Sequence, residues 1–164
     1  MEWFAQDVIV RRATERELPE LLRIEEECFG MEKFSPDTVR AFASRNDAFV
    51  LLAIEADNIY GSAMCVISGE ASEGKIASIA VLRRHRGKGV GALLLDACEK
   101  EFRARGLKRY SLEVETENEP AISLYLSRGY DAKGIIKDFY SAGRDAYCME
   151  KKHDSNGRVL IKPS

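Results

Sequence analysis

Residues 83–91, RRHRGKGVG, set four basic side chains and a histidine against three glycines on alternate positions, then run straight into the apolar stretch ALLLDAC. A tight turn that leaves a buried strand and enters a helix presents backbone N–H groups with no partner inside the helix, and the helix dipole adds partial positive charge there. Gly87, Gly89 and Gly91 let the main chain approach a phosphate without Cβ obstruction, while Arg83, Arg84, Arg86 and Lys88 supply countercharge. Alternate glycines weaken a helix, and a plain turn needs only one. An anion belongs at that spot. The Walker order is absent, because no Gly-Lys-Ser/Thr follows a four-residue gap. Gly87, Gly89 and Ala92 satisfy a dinucleotide fingerprint formally, but that fingerprint normally opens a parallel βαβ unit.

A second group of residues has acid–base chemistry. In the strand-like run YSLEVE (110–115), Tyr110, Leu112 and Val114 share one face and Ser111, Glu113 and Glu115 the other. A strand lying between helices is expected to be apolar on both faces. Glu113 is then a carboxylate where burial is expected, and burial lifts a carboxyl toward the range useful for a base; the plain alternative is a face that meets solvent or a basic partner. Tyr125 lies near Ala121, Ile122 and Leu124, as a core aromatic would. A phenol of pKa about 10 can also protonate a departing thiolate whose conjugate acid is near 8.5. Asn118 reads as a helix cap or as a coenzyme contact. Neither His85 nor His153 has the spacing of a metal ligand or nucleophile pair, so no metal site is expected.

These side chains need elements to hold them. Residues 7–13 predict a strand, ELPELLRIEEECF a helix to about residue 29, and Ser35-Pro36 the start of a second helix. Runs 48–56 and 59–68, parted by Asp57-Asn58, predict a hairpin. The polar stretch GEASEGK reads as a loop before a buried strand at 76–81. After the glycine turn comes a helix to about Arg105 closed by Gly106, then a strand at 108–115, a helix from Asn118 to about Ser127 stopped by Gly129, and two β-rich stretches. The tail 151–164 reads as disordered or as an extra edge strand, leaving residues 1–150 as one domain. At 164 residues, 45% hydrophobic and 32% charged, the composition is that of a soluble α/β globule with one sizeable core.

Net charge of −2 announces no nucleic-acid or membrane partner. The N-terminus MEWFAQDVIVRRA lacks the basic-then-apolar order of a signal peptide, and the expected location is cytoplasmic. Cys28, Cys65, Cys98 and Cys148 lie far apart in apolar segments and read as reduced core thiols.

Arg84-His85-Arg86-Gly87-Lys88-Gly89 resembles the R/Q-x-x-G-x-G/A motif of the GNAT acyltransferases, in which a strand-loop-helix binds the pyrophosphate of acetyl-coenzyme A. LEVETENEPAISLYLSRGY (112–130) resembles the family's second signature, L-E-V-x-x-x-N-x-x-A-x-x-L-Y-x-x-x-G-F/Y. The resemblance runs from about residue 8 to 150, and YSAGRDAYCME (140–150) is most similar to the branch that acetylates protein N-termini, such as the ribosomal-protein-alanine acetyltransferases and their archaeal relatives. It implies the GNAT fold, a mixed sheet flanked by helices with a splay between two central strands, and direct acetyl transfer in a ternary complex. It implies backbone contacts to pantetheine from the Ile79-Ala80-Val81 segment, and phosphate contacts from Arg84, Arg86, Gly87, Lys88, Gly89, Val90 and Gly91. Asn118 and Tyr125 are implied to touch the coenzyme, with Glu113 as the base, often through water, and Tyr125 as the acid. Phe29, Phe34, Glu113 and Tyr140 are the candidates for gripping the acceptor peptide. Where family members often have F-P-x-P-W-S, this chain has Phe29-Gly30-Met31-Glu32-Lys33-Phe34-Ser35 without tryptophan, so acceptor selectivity does not carry over.

The implied acceptor is the α-amine of a protein or peptide, with lysine side chains or a small-molecule amine as the alternative. The expected partners include a ribosome or nascent chain, no nucleic acid and no membrane; the expected state is monomer or weak homodimer. A dinucleotide oxidoreductase, with Glu113 falling 22 residues after Gly91, and a nucleic-acid-binding module using RRHRGK are the rivals from other classes.

Overall fold

The computed structural model of the chain describes residues 7–152. Its strands are β1 (Ile9–Arg12), β2 (Ala48–Glu55), β3 (Asn58–Ser68), β4 (Glu73–Val81), β5 (Arg109–Glu115), β6 (Asp131–Ser141) and β7 (Arg144–Lys152). Its helices are α1 (Leu18–Phe29), α2 (Pro36–Ser44), α3 (Val90–Ala104) and α4 (Glu119–Ser127), with 3-10 turns at Glu15–Glu17, Gly30–Glu32 and Arg83–His85, the last ahead of α3. The sheet order is β1-β2-β3-β4-β5-β7-β6, parallel between β4 and β5 and antiparallel in β1–β2, β2–β3, β5–β7 and β6–β7. This is the expected mixed α/β sheet. Because β7 runs to Lys152, the boundary expected at residue 150 falls inside a strand; His153 and the rest of the tail lie outside the described residues.

The chain divides into two compact units, Met1–Val66 with Ala77–Glu101 and Ile67–Ile76 with Phe102–Ser164. In the first, Leu21 and Ile24 of α1 and Val39 of α2 pack with Val50, Leu52, Met64, Ala80 and Leu82 into a closed core. Burying each large apolar side chain contributes about 1.5–3 kcal/mol. Pro19 falls in the first turn of α1, and the Ser35 Oγ accepts from the Thr38 N–H at 3.2 Å to cap α2. The β2–β3 turn is Ala56-Asp57, one residue earlier than the sequence suggests, with Ala56 at φ 53°. Val90, Leu94, Leu95 and Cys98 bury one face of α3, and the Cys98 Sγ lies 3.4 Å from the Cys65 Sγ of β3. At Gly61 β3 presses so closely on β4 that a Cβ would overlap the Ala80 carbonyl oxygen.

The second unit corrects two expectations. β4 starts at Glu73, not Ile76, because Glu73 to Ile76 pair in parallel with Arg109 to Leu112. The last three residues of GEASEGK, Glu73 to Lys75, are therefore strand, and the turn tightens at Ser72, φ 52°. β5 alternates as its sequence suggests, with Tyr110, Leu112 and Val114 buried, but Glu113, where burial is expected, is only half-buried together with Arg109, Ser111 and Glu115. The Asn118 side chain accepts from the Ala121 N–H at 3.3 Å, capping α4, and Gly129 ends the helix at φ 92°. Tyr125 is buried edge-to-face against Tyr130, ring centroids 6.0 Å apart.

Candidate active site

The glycine turn belongs to the first unit. Gly87 and Gly89 take φ 76° and 84°, and a Cβ on either would meet no protein atom within 4 Å. The space in front of the main chain is open. α3 starts at Val90, with the Leu93 N–H bonding back to the Gly89 carbonyl at 3.1 Å, so the preceding N–H groups are the free donors of a helix start. A pyrophosphate fits this cradle. R-x-x-G-x-G also fits two residues further on, as Arg86-Gly87-Lys88-Gly89-Val90-Gly91. That register puts its middle glycine immediately before the helix, and the helix start at Val90 favours it over the register beginning at Arg84.

The basic side chains around the turn are not equivalent. Arg84 is exposed and its Nε donates to His85 Nε2 at 3.2 Å. Arg86 folds back: its Nε donates to the Val81 carbonyl at 2.8 Å and its Nη2 lies 3.9 Å from the Cys28 Sγ. The Cys28 thiol donates to the same carbonyl at 3.6 Å, so that oxygen already holds two donors before any pantetheine arrives. Ala80 and Val90 are side chains of the core, leaving only their backbone for a ligand. His85 stacks nearly flat on Tyr60, centroids 3.8 Å apart. Burial, and then the charges of Arg84 and Lys88, push its imidazole below the ordinary 6.5. The stack braces the turn, and no sequence pattern pointed to it.

Phe29 and Phe34, expected as walls for the acceptor, are half-buried against the core of the first unit. Phe34 stacks on Phe42 with centroids 5.7 Å apart. Its N–H donates at 2.8 Å to Glu25 Oε1, a carboxylate 1% exposed whose other oxygen is buried without a partner. Burial pushes that carboxyl up, partly offset by the Phe34 bond.

Glu113, Asn118, Tyr125 and Tyr140 belong to the second unit. The Glu113 side chain is 15% exposed and its Oε1 accepts from the Lys75 ammonium. The burial expected for this carboxylate is therefore partial, and the alternative of a basic partner is the one met, because β4 begins early and brings Lys75 into the sheet. Next along the same face, Glu115 holds Arg144 in a two-pronged bond at 3.0 and 2.8 Å, which keeps the Glu115 carboxyl below its ordinary range. The Arg144 guanidinium also lies 5.6 Å from the Tyr140 ring, which sits edge-on to Phe139. Among the described residues no group of three His, Cys, Asp or Glu could hold a metal ion, and no helix is long and apolar enough to cross a membrane.

One unit holds a buried strand that opens through glycines into a helix, and the other a strand carrying a carboxylate and a helix carrying a buried phenol, the parts that the resemblance to an acyl-coenzyme A transferase leads one to expect. The profile of the acetyltransferase (GNAT) family matches residues 18–130, and the chain belongs to that family; it is an acetyltransferase that uses acetyl-coenzyme A. It is 29% identical over 119 residues to N-alpha-acetyltransferase 30 of Schizosaccharomyces pombe, covering 71% of this chain and 79% of that one. With the N-alpha-acetyltransferase of Sulfurisphaera tokodaii it shares 37% identity over 78 residues, spanning about half of each chain, 47%. The crystal structure of the ribosomal-protein-S18-alanine N-acetyltransferase from Escherichia coli has the same fold, with TM-score 0.80 at 21% identity over 96% of both chains. So does the PaiA N-acetyltransferase of Thermoplasma acidophilum solved with coenzyme A, TM-score 0.74 at 21% identity, covering 89% of this chain and 99% of that one.

Proposed function

We propose that this acetyltransferase acts on the α-amine of protein or peptide N-termini. The names of its relatives in fission yeast and in archaea support that acceptor, and the observation that carries the chemistry is Glu113, a carboxylate on the half-buried polar face of β5. The turn 86–91 would hold the pyrophosphate through main-chain N–H groups, with Lys88 and Arg84 as countercharge and Ile79 to Val81 and Asn118 as further coenzyme contacts. The coenzyme supplies an activated acetyl thioester. Glu113, directly or through a water, would accept the proton that the α-amine gives up as it attacks, and Tyr125 would return a proton to the departing sulfur. An α-amine of pKa near 8 sheds its proton for roughly 3 kcal/mol less than a lysine of pKa about 10.4. A modest base suffices. Phe29, Phe34 and Tyr140 would contact the first residues of the acceptor, with the residues through the end of β7 acting as one catalytic domain.

The test is a thiol-release assay with short peptides whose N-terminus is free or already acetylated. The free peptide should be turned over and the blocked, lysine-containing one should be poor; equal rates would move the acceptor to the lysine side chain. Tyr125→Phe should lower kcat on the order of 10²-fold with coenzyme binding nearly intact, and Glu113→Gln should lose most at low pH, its defect shrinking as the amine deprotonates in solution near pH 8. Full kcat in Tyr125→Phe would reduce the phenol to core packing.

A further inference from the structure

We infer that Lys75 is a positioning residue for Glu113, an inference that rests on the reading of Glu113 as the proton acceptor. Lys75 is registered with Ser111 across the parallel β4–β5 pair. Partners in register point to the same side of a sheet, and so do residues two apart on one strand. Lys75, Ser111 and Glu113 therefore share one face. The Lys75 ammonium donates to Glu113 Oε1, and with the two side chains 41% and 15% exposed the carboxylate is the more enclosed partner.

A base works only when its lone pair is held within hydrogen-bond reach of the proton it takes. A glutamate has three rotatable bonds, and on a half-buried strand face it samples several rotamers unless a partner selects one. The lysine does so by occupying one oxygen. Among the described residues only Oε1 is engaged in this way, and Oε2 would stand for the proton of the acceptor amine or of an intervening water. The pair also explains how a carboxylate is accommodated on that face: it is balanced by a cation from the neighbouring strand and not stranded in an apolar slot. Lys75 touches the base and not, on this assignment, the reacting atoms.

A double-mutant cycle on the full chain tests it, read with a saturating free-N-terminus peptide and acetyl-coenzyme A. Lys75→Met should lower kcat by about tenfold, with a smaller change in peptide KM, since misplacing a catalytic group by about an ångström costs up to 10²-fold. Lys75→Arg, which keeps the charge and the donors, should recover most of that loss. In a Glu113→Gln background, Lys75→Met should have almost no further effect, because the residue through which Lys75 acts is already disabled. Melting temperatures of all variants serve as the folding control, with Lys75→Gln replacing Lys75→Met if the latter proves unstable. The inference is overturned if Lys75→Met loses the same factor in both backgrounds, if it leaves kcat unchanged, or if it raises kcat, which would make the lysine a plug. Full kcat in Glu113→Gln is a different failure and removes the proton-acceptor reading itself.

Discussion

The glycine turn and the polar face of β5 solve opposite problems. On the proposed reading, function at the turn would reside in main chain: Gly87 and Gly89 hold left-handed φ values with open space where side chains would stand, and the useful groups would be N–H donors at the start of α3. On β5 it would reside in side chains, Glu113 held by Lys75 and Glu115 by Arg144, on a strand whose backbone is committed to its neighbours. The first is written into residue type, because few residues but glycine tolerate such φ. The second depends on which strand lies alongside and in what register, and both are tertiary facts.

The largest effect expected at the turn comes from Gly89→Val. Left-handed φ costs a non-glycine residue about 1–2 kcal/mol, and the new side chain would stand where an anion meets charge-assisted donors worth about 1.5–3 kcal/mol each. Calorimetry should show acetyl-coenzyme A affinity falling about a hundredfold, equivalent to about 2.7 kcal/mol, with the fold retained. If affinity is unchanged, the anion does not bind this main chain and the contrast with β5 collapses.

Gly61→Ala probes the same unit without touching the turn. Its Cβ would overlap the Ala80 carbonyl, and overpacking of that sort costs about 1–3 kcal/mol. A urea titration should show a lowered midpoint. Coenzyme affinity should fall as well if the Ile79–Val81 main chain contacts pantetheine; a loss of stability alone would remove that contact from the proposal.

The smallest effect belongs to Glu25→Gln. Glutamine keeps the acceptor for the Phe34 N–H and removes the buried charge. Because burial raises the carboxyl in the folded state, the folded protein binds the proton more tightly than the unfolded chain. Wild type therefore loses stability as pH rises from the ordinary carboxylate range through the raised value, whereas the glutamine variant does not titrate. The melting temperature of Glu25→Gln relative to wild type should climb from pH 4.5 to 7.5 by a few degrees, where about 1 kcal/mol corresponds to ~2–4 °C for a chain of this size. A difference independent of pH would mean that the carboxyl is hydrated.

Much of the fold is legible in residue types. Ser35-Pro36 starts a helix because a hydroxyl and a fixed φ act locally, and Asn118 and Gly129 bracket α4 for similarly local reasons. The start of β4 is not legible: Glu73-Gly74-Lys75 has the composition of a loop and becomes strand only because Arg109 to Leu112 lie in register beside it. With that start goes Lys75, and with Lys75 the true surroundings of Glu113. Arg86 escaped for the same kind of reason. Its type announces a phosphate ligand, but the free carbonyl at the end of β4 and the Cys28 thiol lie within its reach, and a guanidinium satisfies the nearest acceptor.

The four thiols give the chain a built-in timekeeper. Cys28 and Cys148 are half-buried, whereas Cys65 and Cys98 are sealed together between β3 and α3, and burial pushes the Cys65 thiol far above its ordinary range. A bulky maleimide needs a thiolate and room to approach. It should therefore label the first two at rates set by small local breathing, and the second two only when α3 lifts from the sheet. Cys28, under the Arg86 guanidinium, ticks with the glycine turn. Following the four sites by mass in one sample would record, on separate clocks, how often the turn loosens and how often the helix behind it comes away.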